Sequence, residues 1–225
     1  MGNPFKNFTR RDSILWGVSV AIILISNLIT GKVDVLTLTA ALIGVTSLIF
    51  AAKGNVWAQI LMVIFSLLYG VISFHFRYWG EMVTYLGMTM PMAIWSAVTW
   101  LKNPSEGNAN EVKIQKLTGK HWLWLIISNM IVTFGFYLIL RYFKTPNLFF
   151  STLSVTTSFL AACLTMLRSS YYAAAYAAND VILMVLWMLA SLHDIGYVPV
   201  VVNFAMFLIN DLYGFISWKK REQTC

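Results

Sequence analysis

Charge is what this 225-residue sequence has least of: only 11% of its residues are Asp, Glu, Lys or Arg, and only 9 are acidic. A soluble domain carries about 25% charged residues, so a chain wetted on all sides is excluded. Cysteine is nearly absent. Cys163 and Cys225 are the only two, which excludes a disulfide framework and a thiolate metal centre, since the latter needs clustered ligands. His75, His121 and His193 are too scattered for a metal box. The stretch "TGKHW" has Gly-Lys without the glycine spacing or Ser/Thr of a phosphate-binding loop, and neither HExxH nor GxSxG occurs. No cofactor, metal or enzymatic signature is therefore expected.

Apolar sequence is what abounds, at 59% with 15% aromatic. Runs fall at 13–30, 35–52, 56–75, 80–101, 121–140, 147–167, 171–192 and 197–218. Each is long enough to cross about 30 Å of hydrocarbon as a helix. The first follows the basic stretch "MGNPFKNFTRRDS" and has no small-residue cleavage site, so it reads as a retained helix. Residues 102–120, with "KNPSEGNANEVKIQK", form the only long polar stretch and read as a flexible, solvated linker. The expectation is an all-α integral membrane protein with eight transmembrane helices.

With the N-terminus inside, 12 of the 16 basic residues fall on the cytoplasmic side. Only Lys32, Arg77, Arg141 and Lys144 fall outside. That bias predicts a multi-pass protein of the cytoplasmic (inner) membrane with both termini cytoplasmic. It also accounts for the net charge of +7 without nucleic acid as a partner.

At an offset of 118, Ser73 meets Ser191, His75 meets His193, Trp79 meets Tyr197, Trp95 meets Tyr213, Trp100 meets Trp218 and Lys102 meets Lys220. This predicts a parallel repeat, three plus one plus three helices with an extra helix in front. The expected organisation is a cytoplasmic N-terminus (1–12), an extra N-terminal helix (13–30) and a first three-helix bundle (35–101). A cytoplasmic linker (102–120), a connecting helix (121–140), a second three-helix bundle (147–218) and a cytoplasmic tail (219–225) follow. Transporters with such repeats bind their substrate between the units near the midplane.

One stretch is anomalous. "YYAAAYAANDVILMVLW" is apolar enough to span, yet it carries Asn179 and Asp180 near its middle. A carboxylate there costs roughly 2.5–3.5 kcal/mol on insertion scales. Helical spacing sets Tyr172, Tyr176, Asn179, Asp180, Leu183 and Trp187 in one stripe, and Asn203, Phe207, Asn210, Asp211 and Gly214 in another. The first bundle offers Trp57, Gln59, Tyr69, His75 and Trp95. Aromatic faces, amides and carboxylates together suit a flat polar ligand, while no Lys or Arg lies inside any span to neutralise a phosphate. A neutral or cationic small molecule is the expected substrate. The same Tyr, Trp and Asn residues also suit belt positions and helix tethering. Glu81, at the outer mouth of the fourth run, reads as a helix-start charge.

"AAKGN", "FRYWGEM", "MPMAIWSAVTWLKN" and "NDLYGFISW", in this order, resemble the PnuC-type vitamin transporters over residues 34–221. The resemblance implies a SWEET-like fold and facilitated diffusion of nicotinamide riboside. It also implies that a cytoplasmic kinase, acting without necessary contact, traps the import. One departure is visible: Tyr172, Tyr176, Asn179 and Asp180 stand where that family carries a tryptophan pair and asparagine, and His193 stands for a glutamine. Thiamin, riboflavin and deoxynucleosides, carried by relatives within the family, therefore remain open, as do proton-coupled symport through Asp180 or Asp211, a homo-oligomer, and an intramembrane enzyme or sensor.

Overall fold

In a computed structural model, residues 8–29, 34–75, 79–106 and 108–224 are described. Lys6, Lys32, Arg77 and Cys225 fall outside them. Nine α-helices carry the described chain: α1 (Arg10–Ile29), α2 (Val35–Ala52), α3 (Trp57–His75), α4 (Trp79–Thr84), α5 (Met90–Lys102), α6 (Gly119–Tyr142), α7 (Leu148–Met166), α8 (Tyr172–Ser191) and α9 (Val198–Thr224). Seven of these, all but α4 and α5, are individually long and apolar enough to cross a membrane.

The fourth apolar run, expected as one helix, is instead α4 and α5 joined by a π-helical turn at Tyr85–Thr89. Pro91 explains the interruption. It has no N–H to give and its ring crowds the carbonyl four residues back, so the preceding turn widens. The Met90 N–H accordingly donates to the Tyr85 carbonyl, five residues back. The wider turn re-aims Tyr85 toward the interior.

α2, α3, α5, α7, α8 and α9 pack in that order into a ring, which closes where α9 meets α2. α6 packs on α7 from outside the ring, and α1 lies over the α2–α9 seam. Small residues permit the close approaches. A Cβ on Gly44 would stand 2.8 Å from Phe207 Cζ, so the α2–α9 contact needs glycine there. α6 exposes an apolar surface almost all round, as a helix bathed in lipid does.

α1 is held by polar bonds in an otherwise apolar seam. Thr9 and Asp12 form a capping box, in which the Thr9 N–H and hydroxyl donate to Asp12 (2.7 and 2.8 Å) and the Asp12 N–H donates to Thr9 Oγ1. The same fully buried carboxylate pairs with Lys53 Nζ at 3.0 Å and accepts from the Tyr213 hydroxyl. Trp16 Nε1 donates to Thr46 Oγ1 of α2, and Asn210 Nδ2 donates to Ser19 Oγ of α1.

The ends bearing Lys53, Lys102, Arg168 and Arg221 gather at one face, called here the basic face. It is sealed by Trp100, Tyr172 and Trp218, all buried and in mutual contact. The polar stretch 102–120, expected to be flexible and solvated, is instead sewn across this seal. Pro104–Ser105 pairs with Asn108–Val112 as an antiparallel hairpin, and Val112 is buried. The Val112 N–H donates to Gly54 O, Arg221 donates to the carbonyls of Lys53 and Val112 (2.9 Å each), and Arg168 donates to Gln115 Oε1. Gly54 is doubly required: its φ is +68°, and a Cβ would stand 2.5 Å from Arg221 Nη1. Length and polarity alone did not disclose that Val112, with Ile114 and Leu117 packed on the same cluster, would anchor the stretch.

Candidate functional site

The opposite half of the ring is open. A central cavity of about 120 Å³ sits among α2, α3, the π turn, α7, α8 and α9. A vestibule of about 200 Å³ adjoins it between α2, α3 and α9, and another of about 150 Å³ lies beside α4, α7 and α8. Glu81 and Trp187 line all three. Each is smaller than the roughly 300 Å³ of a typical small-ligand pocket, so a nucleoside-sized molecule would occupy the centre and one vestibule together.

Seven of the sequence candidates meet in these cavities: Tyr69, Tyr176, Asn179, Asp180, Trp187 and Asp211 line the centre or its junction with a vestibule, and Asn203 lines the larger vestibule. The α8 stripe puts Tyr176, Asn179, Asp180 and Trp187 on one face because four-residue spacing nearly closes a turn. Asn179 is oriented by Thr157 of α7, whose hydroxyl donates to its Oδ1 at 2.9 Å. Asp180 is 4% exposed and its Oδ2 has no partner in the protein; Asn203 Oδ1 and Ser73 Oγ are likewise unpartnered. Buried polar atoms are nearly always bonded, so these three mark walls suited to a polar ligand.

The other candidates stand elsewhere. Tyr172 belongs to the basic-face seal, its ring 4.7 Å from that of Trp218. Trp57 packs against the same cluster, and Gln59 is buried and lines none of the three cavities above. Asn210 turns to α1 and bonds Ser19, while Trp95 is 63% exposed on the outer surface. Tyr172, Trp57 and Asn210 are each captured by neighbours on other helices, which helical spacing does not see.

Two residues outside the sequence candidates matter more. Glu81 sits in the first turn of α4, as read, yet it faces inward, takes a hydrogen bond from Tyr69 and touches all three of these cavities. Tyr85, one turn on, packs against Tyr69 in a tilted pair with centroids 4.4 Å apart. The i, i+4 spacing of Glu81 and Tyr85 inside an apolar run was the available signal. The cavity walls thus carry four carboxyls, Glu81, Asp180 and Asp211 around the centre and Asp34 in the larger vestibule, and among the described residues no Lys or Arg lines them. No group that could hold a metal ion is found among those residues either.

An acid-lined, aromatic cavity open at one face of a helical membrane ring is a transport site in form, and sequence comparison bears on it directly. Residues 34–220 match the nicotinamide mononucleotide transporter family. The chain belongs to this family. It is 25% identical over 185 residues to the nicotinamide riboside transporter PnuC of Neisseria mucosa, covering 80% of this chain and 70% of that one. It is 22% identical over 186 residues to the PnuC of Haemophilus influenzae, covering 82% and 79%. The crystal structure of the vitamin B3 transporter PnuC superposes with a TM-score of 0.81 at 24% identity, over 96% of this chain and 93% of that one. The fold is therefore shared along nearly the whole chain, α1 included. As a member of a transporter family, the chain is a multi-pass membrane transporter rather than an enzyme.

Proposed function

We propose that this transporter imports nicotinamide riboside through the central cavity. The observation that carries this reading is the acidic, arginine- and lysine-free wall. The family bears the name of the mononucleotide, whose phosphate would want Arg or Lys. The relatives are named for the riboside, whose pyridinium ring is a cation without a phosphate. Carboxyls of Glu81, Asp180 and Asp211 match that charge, and Tyr69, Tyr85, Tyr176 and Trp187 offer faces to its ring.

The α4–π–α5 segment counts in this reading as an eighth span. The ring then comprises two parallel three-helix units, 35–101 and 147–218, joined through residues 121–140 in a SWEET-like plan, with α1 as the added helix. The basic face is cytoplasmic, with both termini there in the inner membrane, so the sealed seam is the inner gate and the vestibules face outward. Movement follows the substrate gradient, and intracellular phosphorylation retains the product.

The test is uptake of radiolabelled nicotinamide riboside into proteoliposomes, with unlabelled riboside, mononucleotide, thiamin, riboflavin and deoxynucleosides as competitors. Saturable uptake blocked by the riboside and not by the mononucleotide is expected. Blockade by thiamin or a deoxynucleoside alone would reassign the substrate. A ligand at 100 times its dissociation constant also raises stability by about 2.7 kcal/mol, visible as a thermal shift.

A further inference from the structure

Ser73 of α3 and Asn203 of α9 are buried, and each presents an unpartnered side-chain oxygen to the larger vestibule. A helical serine can donate its hydroxyl to a carbonyl three or four residues back. Ser66, two turns earlier on α3, does so to Met62, and Ser191, the counterpart of Ser73 at the offset of 118, does so to Met188. Ser73 does not. Each orphaned oxygen also ends a stripe that starts nearer the centre. Phe65, Tyr69 and Ser73 follow at four-residue spacing on α3, as Asn203, Phe207 and Asp211 do on α9. Phe65, Tyr69 and Phe207 line both the centre and this vestibule, whereas Ser73 and Asn203 line the vestibule and not the centre. Phe65 meets Phe207 edge to face with centroids 6.5 Å apart, so the two stripes touch where the cavities join. From Asn203 to Asp211 the helix rises about 12 Å, the order of length of a flat ring joined to a pentose. The smaller vestibule differs. Its Ser151 hydroxyl donates to the Pro146 carbonyl at 3.0 Å, and among the described residues no buried unpartnered side-chain atom lines it.

We infer that the larger vestibule is a sugar subsite, where Asn203 and Ser73 bond the hydroxyls of the substrate's pentose while its ring lies in the centre. The inference rests on the proposed reading of the cavity as a riboside site, and adds which vestibule the substrate fills and which way round it lies. Asn203 Oδ1 only accepts, while Ser73 Oγ both donates and accepts, so the two suit hydroxyl groups. The carboxyls that reach this vestibule are already engaged: Asp34 caps α2, and Glu81 takes the Tyr69 hydroxyl. The charged ring and the neutral sugar are thus offered different ends of the same stripes. A buried oxygen gains its bond only from a ligand that carries a hydroxyl, so the vestibule selects among molecules alike in ring and charge. Ser73 and Asn203 both lie within two turns of the helix ends remote from the basic face. The sugar therefore faces the open side and the ring points toward the seal.

The test is calorimetry on the full chain in nanodiscs with nicotinamide riboside and 1-methylnicotinamide, two probes that share the cationic ring and differ in the sugar. The weaker probe is read by competition against the riboside. The parent should bind the riboside more tightly. Ser73→Ala and Asn203→Leu should each weaken the riboside roughly 5- to 150-fold and leave the methyl probe unchanged. Ser73→Ala removes an oxygen that bonds nothing in the protein, so its melting temperature without ligand should hold or rise. It carries the test alone should Asn203→Leu fail to fold. Asp180→Asn, in the centre, should weaken both probes alike. Unchanged riboside affinity in the vestibule variants overturns the inference, as does an equal loss for both probes. A loss confined to the riboside in Asp180→Asn reverses the placement and overturns it too. In each of these results the parent still binds the riboside, and the reading of the cavity stands. If the folded parent does not bind the riboside, that reading falls and the inference with it.

Discussion

Trp100 and Trp218 are 118 positions apart in sequence, and their ring centroids are 5.6 Å apart in space. The indole N–H of Trp100 donates to the Thr165 carbonyl on α7, and that of Trp218 donates to the Ala51 carbonyl on α2. Thus the last helix of each proposed unit reaches the first helix of the other, in two bonds of the same form. Such reciprocity is what a parallel pair about an axis along the membrane normal produces, whereas an inverted pair would put the two tryptophans at opposite faces.

Trp100→Phe and Trp218→Phe each remove one buried N–H and strand a carbonyl. Each should lower stability by about 1–3 kcal/mol. Because the rings touch, the double variant should depart from additivity by about 0.5–1.5 kcal/mol. Thermal unfolding of the four proteins in detergent checks this, and strict additivity would dissolve the proposed coupling across the seal.

Asp12 joins α1 to Lys53 and Tyr213, so Asp12→Ala leaves both partners unpaired in a buried seam. A loss of about 1–3 kcal/mol is expected, with substrate affinity unchanged because Asp12 lines none of the three ring cavities. Melting and binding measured on the same preparation separate the two effects. A fall in affinity at unaltered melting temperature would place α1 in the transport path.

On the cavity side the opposite split is expected. Asn179→Ala and Glu81→Gln should each weaken riboside binding roughly 5- to 150-fold, the range of one unmade hydrogen bond to a charged or polar ligand. Thr157→Val should weaken it less, since Asn179 keeps its amide but loses the hydroxyl that orients it. Binding isotherms decide. Wild-type affinity in both of the first two variants, with lowered melting temperature, would make these residues structural.

Arg221→Ala cuts the donor to Lys53 and Val112 and the 3.6 Å ion pair with Glu111. The hairpin should then lift from the basic face, and limited proteolysis between Pro104 and Val112 should quicken. Equal cleavage rates in parent and variant would show that the hairpin is held without Arg221.

Single cysteines replacing Lys113 and Asp194 should label from opposite sides of the membrane in intact cells, Asp194→Cys from outside. Labelling of both from outside would invert or break the proposed topology.

The sequence by itself determined that this chain is a membrane protein built of apolar helices, and its ordered motifs carried the resemblance to the PnuC-type transporters. Scarce charge, spanning-length runs and basic residues massed at alternate helix ends are properties of composition and order, and they need no contacts to be read. It also determined the α8 stripe, since helical periodicity alone sets Tyr176, Asn179, Asp180 and Trp187 on one face. Tertiary structure decided which stripe residues meet a cavity and which meet a helix. Asn210 and Asp211 are adjacent in sequence, and yet α1 claims the first while the cavity receives the second. Glu81 was legible as a helix-start acid but not as the junction of three cavities, because that depends on α3 supplying Tyr69. The hairpin over the basic face was hidden for the same reason: a polar stretch is ordered only by partners far away in the chain, here Gly54, Arg168 and Arg221. Periodicity is a property of one helix, and a site is a property of several.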